Sequence, residues 1–128
     1  MKILLDTCSF LWFIADAPEL SARARSSILD PVNSVYLSSV SAWEIGRKYA
    51  RGGLQLPARP ETLIPQIRAD SGIVSLPLTE DDAILAEKLP PIHKDPFDRM
   101  IIAQALVQGM VIATPDPAFA TYPVRLLW

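Results

Sequence analysis

The chain has 128 residues, is half apolar and is 20% charged, which excludes intrinsic disorder and fits one domain rather than two. Twelve prolines against five glycines, with no glycine period, exclude collagen-like and low-complexity classes, and one cysteine with one histidine excludes an intrachain disulfide and a Cys/His zinc cluster. A net charge of −2 counts against polyanion binding by bulk electrostatics, although residues 1–60 carry +2 and residues 61–128 carry −4. Ile3-Leu4-Leu5 predicts a strand, cut off by Asp6 too soon for a signal peptide or membrane span, and a reducing cytoplasm fits the lone Cys8. The aromatic stretch Phe10–Ile14 predicts a buried helix, and residues 21–29 a second one with Arg23 and Arg25 facing solvent. Val35–Ser38 predicts a strand, followed by a helix from about Ser41 to Arg51 that Gly52-Gly53 stops. A helix over 61–70, a strand over 73–76 and a helix over 79–89 with an acidic first turn come next. Pro90-Pro91-Ile92-His93-Lys94 reads as a stiff connector with His93 exposed to solvent, before the strongest helix, 95–108, which Gly109 ends. A strand over 110–114, a helical turn over 116–122 and a strand over 124–128 complete an alternation that predicts an α/β fold, its mostly parallel sheet sandwiched by helices.

Four acids fall at the junctions of these elements. Asp6 ends the first strand, Glu44 lies in the first turn of the helix after the second, Asp98 opens the long helix and Asp116 ends the fourth strand. Ligands of open α/β sheets collect outside the carboxyl ends of the strands, where a parallel sheet brings these side chains together. Converged carboxylates repel and call for a hard divalent cation, which leaves room for phosphate oxygens. Each acid also has a local explanation. Asp6 can cap a helix, Ser41-x-x-Glu44 matches a capping box, Asp95-Pro96 is a good helix start that leaves Asp98 in the first turn, and Asp116-Pro117 repeats the device. Helix-start chemistry accounts for each acid singly but does not ask that they share one edge of the sheet, so the conjunction carries the signal.

Leu4-Leu5-Asp6-Thr7, Ser38-x-x-Ser41-x-x-Glu44-Ile45, Asp95-Pro-Phe-Asp98-Arg99-Met-Ile-Ile-Ala103-Gln-Ala105 and Ala113-Thr114-Pro115-Asp116 occur in this order across nearly the whole chain. In order and spacing the chain resembles the PIN domain family, and within it the VapC-like ribonuclease toxins of type II toxin–antitoxin pairs. The resemblance implies a Rossmann-like three-layer α/β/α sandwich forming a single nuclease domain over 1–128. It also implies an endoribonuclease that uses Mg²⁺, with Mn²⁺ as substitute, a homodimer and a small VapB-like antitoxin. Carried over by position, it assigns Asp6, Glu44, Asp98 and Asp116 to the metal site. Asp98 matches the third acidic position better than Asp95 does, because Ala103 and Ala105 follow at the expected offsets. Thr7, Thr114 and Arg99 stand beside matching acids as supporting residues. Cys8 departs from the His or Asn common at its position.

Four carboxylates without a nucleophile–base pair point to attack by water under a divalent ion rather than by Cys8, since the only histidine is distant in sequence. Arg47, Lys48 and Arg51 can line an RNA path, yet Glu44 and Lys48 at i,i+4 also make an ordinary surface ion pair. Trp12, Phe13, Trp43 and Trp128 read as packing anchors rather than base-stacking platforms. Two other classes compete. One is a PIN-fold binding or scaffold module without catalysis. The other is a receiver- or dehalogenase-type phosphotransfer domain, against which the absence of a second acid near Asp6 counts.

Overall fold

In a computed structural model describing residues 1–128, five strands form one sheet in the order β3-β2-β1-β4-β5. They are β1 (Lys2–Leu5), β2 (Ser34–Ser38), β3 (Val74–Leu76), β4 (Val111–Ala113) and β5 (Arg125–Leu127), and every neighbouring pair runs parallel. The connecting helices are α1 (Thr7–Ala15), α2 (Ala22–Leu29), α3 (Ser39–Ala50), α4 (Pro60–Ser71), α5 (Glu80–Lys88) and α6 (Pro96–Gln108), with a 3₁₀ turn over Pro117–Thr121. No helix is long and apolar enough to cross a membrane.

Alternation along each strand divides the interior into two cores. Ile3, Leu5, Val35, Leu37, Val111 and Ala113 face one side, against Phe10 of α1, Ala24 and Ile28 of α2, Ile45 of α3 and Ile64 of α4. Leu4 and Ile112 face the other, against Ile101, Ile102 and Ala105 of α6 and Phe119 of the 3₁₀ turn. Successive side chains of a strand point to opposite faces, so continuous apolar runs are what a sheet covered on both sides needs. The result is the three-layer α/β/α sandwich. The edge strand β3 is the exception to the apolar pattern, with Val74 and Ser75 exposed.

The chain winds outward from β1 through β2 to β3 and then returns to β4 beside β1. Strand order reverses between β1 and β4, which opens a crevice at their carboxyl ends. The segments that follow β1, β2 and β4 begin at Asp6, Ser39 and Thr114, and all three feed this edge.

Two boundaries differ from expectation. The first helix begins at Thr7 rather than Phe10, because Asp6 caps it. The third begins at Ser39 rather than Ser41, with Ser38 as the N-cap accepting the Val40 N–H at 3.0 Å. The Ser41–Glu44 capping box therefore does not exist. With no loop between β2 and α3, Ser41 is buried inside the helix and Glu44 falls in its second turn, free to face side chains instead of backbone.

Candidate functional site

Three of the acids are held by the helix starts they make. The Asp6 carboxylate accepts the Ser9 N–H at 2.8 Å, and the Ser9 hydroxyl in turn donates to the Ala113 carbonyl at 2.7 Å, tying the ends of β1 and β4 together. Asp116 accepts the Ala118 N–H at 2.9 Å as the cap of the 3₁₀ turn, and its own N–H donates to the Thr114 hydroxyl at 3.1 Å. Asp95 caps α6 by accepting the Phe97 N–H at 2.9 Å, and Pro96 at the next position has no N–H to leave unpaired. Asp98 then projects from the first turn of α6. Glu44 is held by side chains: the Thr7 hydroxyl donates to Oε1 at 2.9 Å and Lys48 Nζ lies 3.0 Å from Oε2. Thr7 also lies 3.1 Å from the buried Ser41 hydroxyl, so α1 and α3 are joined just below the carboxylates.

Asp6, Glu44, Asp95, Asp98 and Asp116 all line one cleft of about 230 Å³, with Thr7, Cys8 and Lys48 among its walls. A parallel sheet gathers helix starts at this edge, and here Asp6, Asp95 and Asp116 also share a single cleft with Glu44 and Asp98. Burial, followed by the charges of Asp95, Glu44, Asp6 and Asp116, pushes the Asp98 carboxyl up from 3.8 to about 7. Burial also raises Asp6, although hydrogen bonds from Ser9 and Thr114 pull the other way. The Cys8 thiol is pushed up by burial and by the Asp6 charge, which keeps it protonated and counts against a thiolate nucleophile. Lys48 is the one basic side chain in the cleft wall and is already engaged by Glu44. Only Asp98 and Asp116, with His93, bring possible ligand atoms within 4.8 Å of one another, while Asp6 and Glu44 line the same cleft farther off; these hard oxygen donors fit a divalent cation.

His93 is the residue that sequence reasoning misplaced. Its side chain is only 12% exposed, and Nε2 lies 3.1 Å from Asp98 Oδ2 and 3.4 Å from Asp116 Oδ2. The Phe119 ring meets it edge-on at 5.4 Å, and its backbone N–H donates to the Tyr122 hydroxyl at 2.9 Å. Arg99 acts on this same connector. Its Nη1 donates to the His93 carbonyl at 2.9 Å. No local signal marked His93, since Tyr122 and Phe119, which hold it in place, come from the segment after β4.

Around the cleft, Arg47, Lys48 and Arg51 line an adjoining groove of about 310 Å³ together with Glu44, Asp95 and Phe97. Arg47 sits 5.3 Å from the centre of the Trp43 ring, which packs on Phe97 at 4.9 Å and stays half exposed. Trp12 and Trp128 pack on each other at 5.9 Å.

A family model described as "PIN domain" matches residues 3–124. No curated protein matches the chain. Among solved structures, the chain is similar to one in VapBC2 from Rickettsia felis bound to a DNA fragment from their promoter, with a TM-score of 0.73 and 15% identity over 98% of this chain and 97% of that one. A chain of VapBC-1 from nontypeable Haemophilus influenzae gives a TM-score of 0.66 and 21% identity over 98% and 96%. A chain of FitAcB from Neisseria gonorrhoeae gives 0.65 and 23% over 97% and 95%. At these identities the likeness is one of fold.

Proposed function

The chain belongs to the PIN domain family, and from that premise we propose that it is a metal-dependent endoribonuclease, a single nuclease domain acting as the toxin of a type II toxin–antitoxin pair. The observation that carries the catalytic reading is the convergence of Asp6, Glu44, Asp98 and Asp116 in one cleft, with Asp98 held near 7 by burial and by its neighbours' charge. Mg²⁺, or Mn²⁺ in its place, is the cofactor this set suits. When bound, it supplies charge neutralisation of the scissile phosphate and a water acidic enough to attack phosphorus near neutral pH.

The chain's own residues do the rest. Asp6, Asp98 and Asp116 offer oxygens from the ends of β1 and β4 and from the start of α6. Glu44 completes the set from α3, kept in place by Thr7 and partly neutralised by Lys48. Thr114 supports Asp116 by accepting its N–H at 3.1 Å. Asp95 serves as the cap of α6, with its charge adding to the repulsion at Asp98. The groove of Arg47, Lys48 and Arg51 gives an RNA backbone a cationic approach that the net charge of −2 conceals.

The toxin part of the reading is supported by the company the fold keeps, since the similar structures are of VapBC and FitAcB assemblies. A small VapB-like antitoxin and a second copy of this chain are the proposed partners, RNA the substrate, and the cytoplasm the site of action. Induced expression tests this. Wild type is expected to arrest growth and Asp6→Asn to leave it unaffected at equal protein level. Equal arrest by both, or by neither, contradicts the proposal.

A further inference from the structure

Every acid in the cleft except Asp98 has a hydrogen-bond donor from its surroundings: Asp6 from Ser9, Glu44 from Thr7, Asp95 from Phe97 and Asp116 from Ala118. The polar neighbour of Asp98 is the His93 ring. That ring is fixed independently of the carboxylates, by the edge-on Phe119 ring, by Tyr122 and Arg99 on its backbone, and by the Asp95 N–H, which donates to Nδ1 at 3.2 Å. A neutral imidazole has one N–H and one acceptor nitrogen, so an Nδ1 that accepts places the proton on Nε2. Nε2 is then a donor and not a metal ligand. It is buried and makes no aligned hydrogen bond to any acceptor, yet it stands 3.1 Å from Asp98 Oδ2 and 3.4 Å from Asp116 Oδ2. An N–H in that position attracts both carboxylates and belongs to neither.

We propose that His93 is a positioning residue of the carboxylate cleft, whose Nε2–H bridges Asp98 and Asp116 and sets their spacing for joint capture of one divalent ion. This rests on the reading of the cleft as a metal site. Without the bridge, two like charges from different elements separate, and the ion must bring them together at the expense of its own affinity. Partners that orient ligands from behind in this way are worth about 10–100-fold in metal affinity.

Calorimetric titration of the purified full chain with Mn²⁺ alone tests the assignment. His93→Leu keeps bulk against Phe119 but has no donor, and His93→Gln offers an amide N–H in place of Nε2. His93→Ala is the alternative if the leucine variant does not fold. The leucine or alanine variant is expected to bind Mn²⁺ about 10–100-fold more weakly than wild type, and the glutamine variant within about threefold of it. Full affinity without the donor overturns the proposal, and so does a glutamine variant as weak as leucine, which would make the imidazole itself a ligand. If the wild type binds no Mn²⁺, the metal reading falls and takes this inference with it.

Discussion

Replacing Asp98 with Asn should destroy activity and at the same time stabilise the metal-free protein. Asp98 is buried among like charges, and its carboxyl is pushed from 3.8 to about 7, so at pH 8 the fold ionises it at a cost. At 1.36 kcal/mol per pH unit, a displacement of about 3 units sets a ceiling near 4 kcal/mol. Solvent reaching a side chain that is 21% exposed, and the altered contact with His93, bring the expected gain to about 2 kcal/mol. For a domain of this size that raises the melting temperature by roughly 5–10 °C. Because the folded state holds its proton more tightly than the unfolded one, protonation of Asp98 stabilises the fold. That stabilisation is complete below about pH 4 and is lost as pH rises to about 7. The advantage of the Asp98→Asn variant over wild type should therefore be largest at pH 8 and fall by more than half at pH 5. Thermal melts of both proteins in EDTA at the two pH values measure this. A variant less stable than wild type at pH 8, or an advantage independent of pH, would refute the electrostatic reasoning.

The same raised carboxyl makes metal binding pH-dependent, since Asp98 must give up its proton to act as a ligand. Mn²⁺ affinity measured by calorimetry should rise by up to about tenfold per pH unit between pH 5 and 7 and then level off, with proton release on the rising part. A flat profile removes Asp98 from the ligand set. Thr7→Val deletes the hydroxyl that holds Glu44 and contacts Ser41, and should cost about 1 kcal/mol in urea unfolding and lower RNA cleavage several-fold. Undiminished cleavage would mean that Glu44 needs no such support. Asp95→Ser retains a cap for α6 and should keep cleavage within about threefold, whereas Asp95→Ala should lose about 1 kcal/mol of stability. Abolition of cleavage by serine would make Asp95 a ligand.

Local signals located the elements because the strands are apolar on both faces and the helices are punctuated by prolines and glycines. Gly109, in the left-handed conformation at φ 66°, ends α6 where the sequence suggested. The start of α3 was obscured by competing hydroxyls: Ser38, Ser39 and Ser41 are all plausible caps, and only the lack of a loop after β2 selects Ser38. The acids were legible singly as helix starts, but their convergence depends on the order of strands, which no local pattern contains. His93 was missed for a similar reason. Its burial depends on Tyr122 and Phe119, which are distant in sequence and belong to the segment after β4.

Cleavage of a structured RNA by the purified chain tests the central claim most directly. Wild type should cut at internal positions in Mg²⁺ or Mn²⁺, stop in EDTA and resume when metal is restored, while Asp6→Asn and Asp98→Asn fold normally and cut nothing. Cleavage that persists in EDTA, or in both variants, would contradict the account.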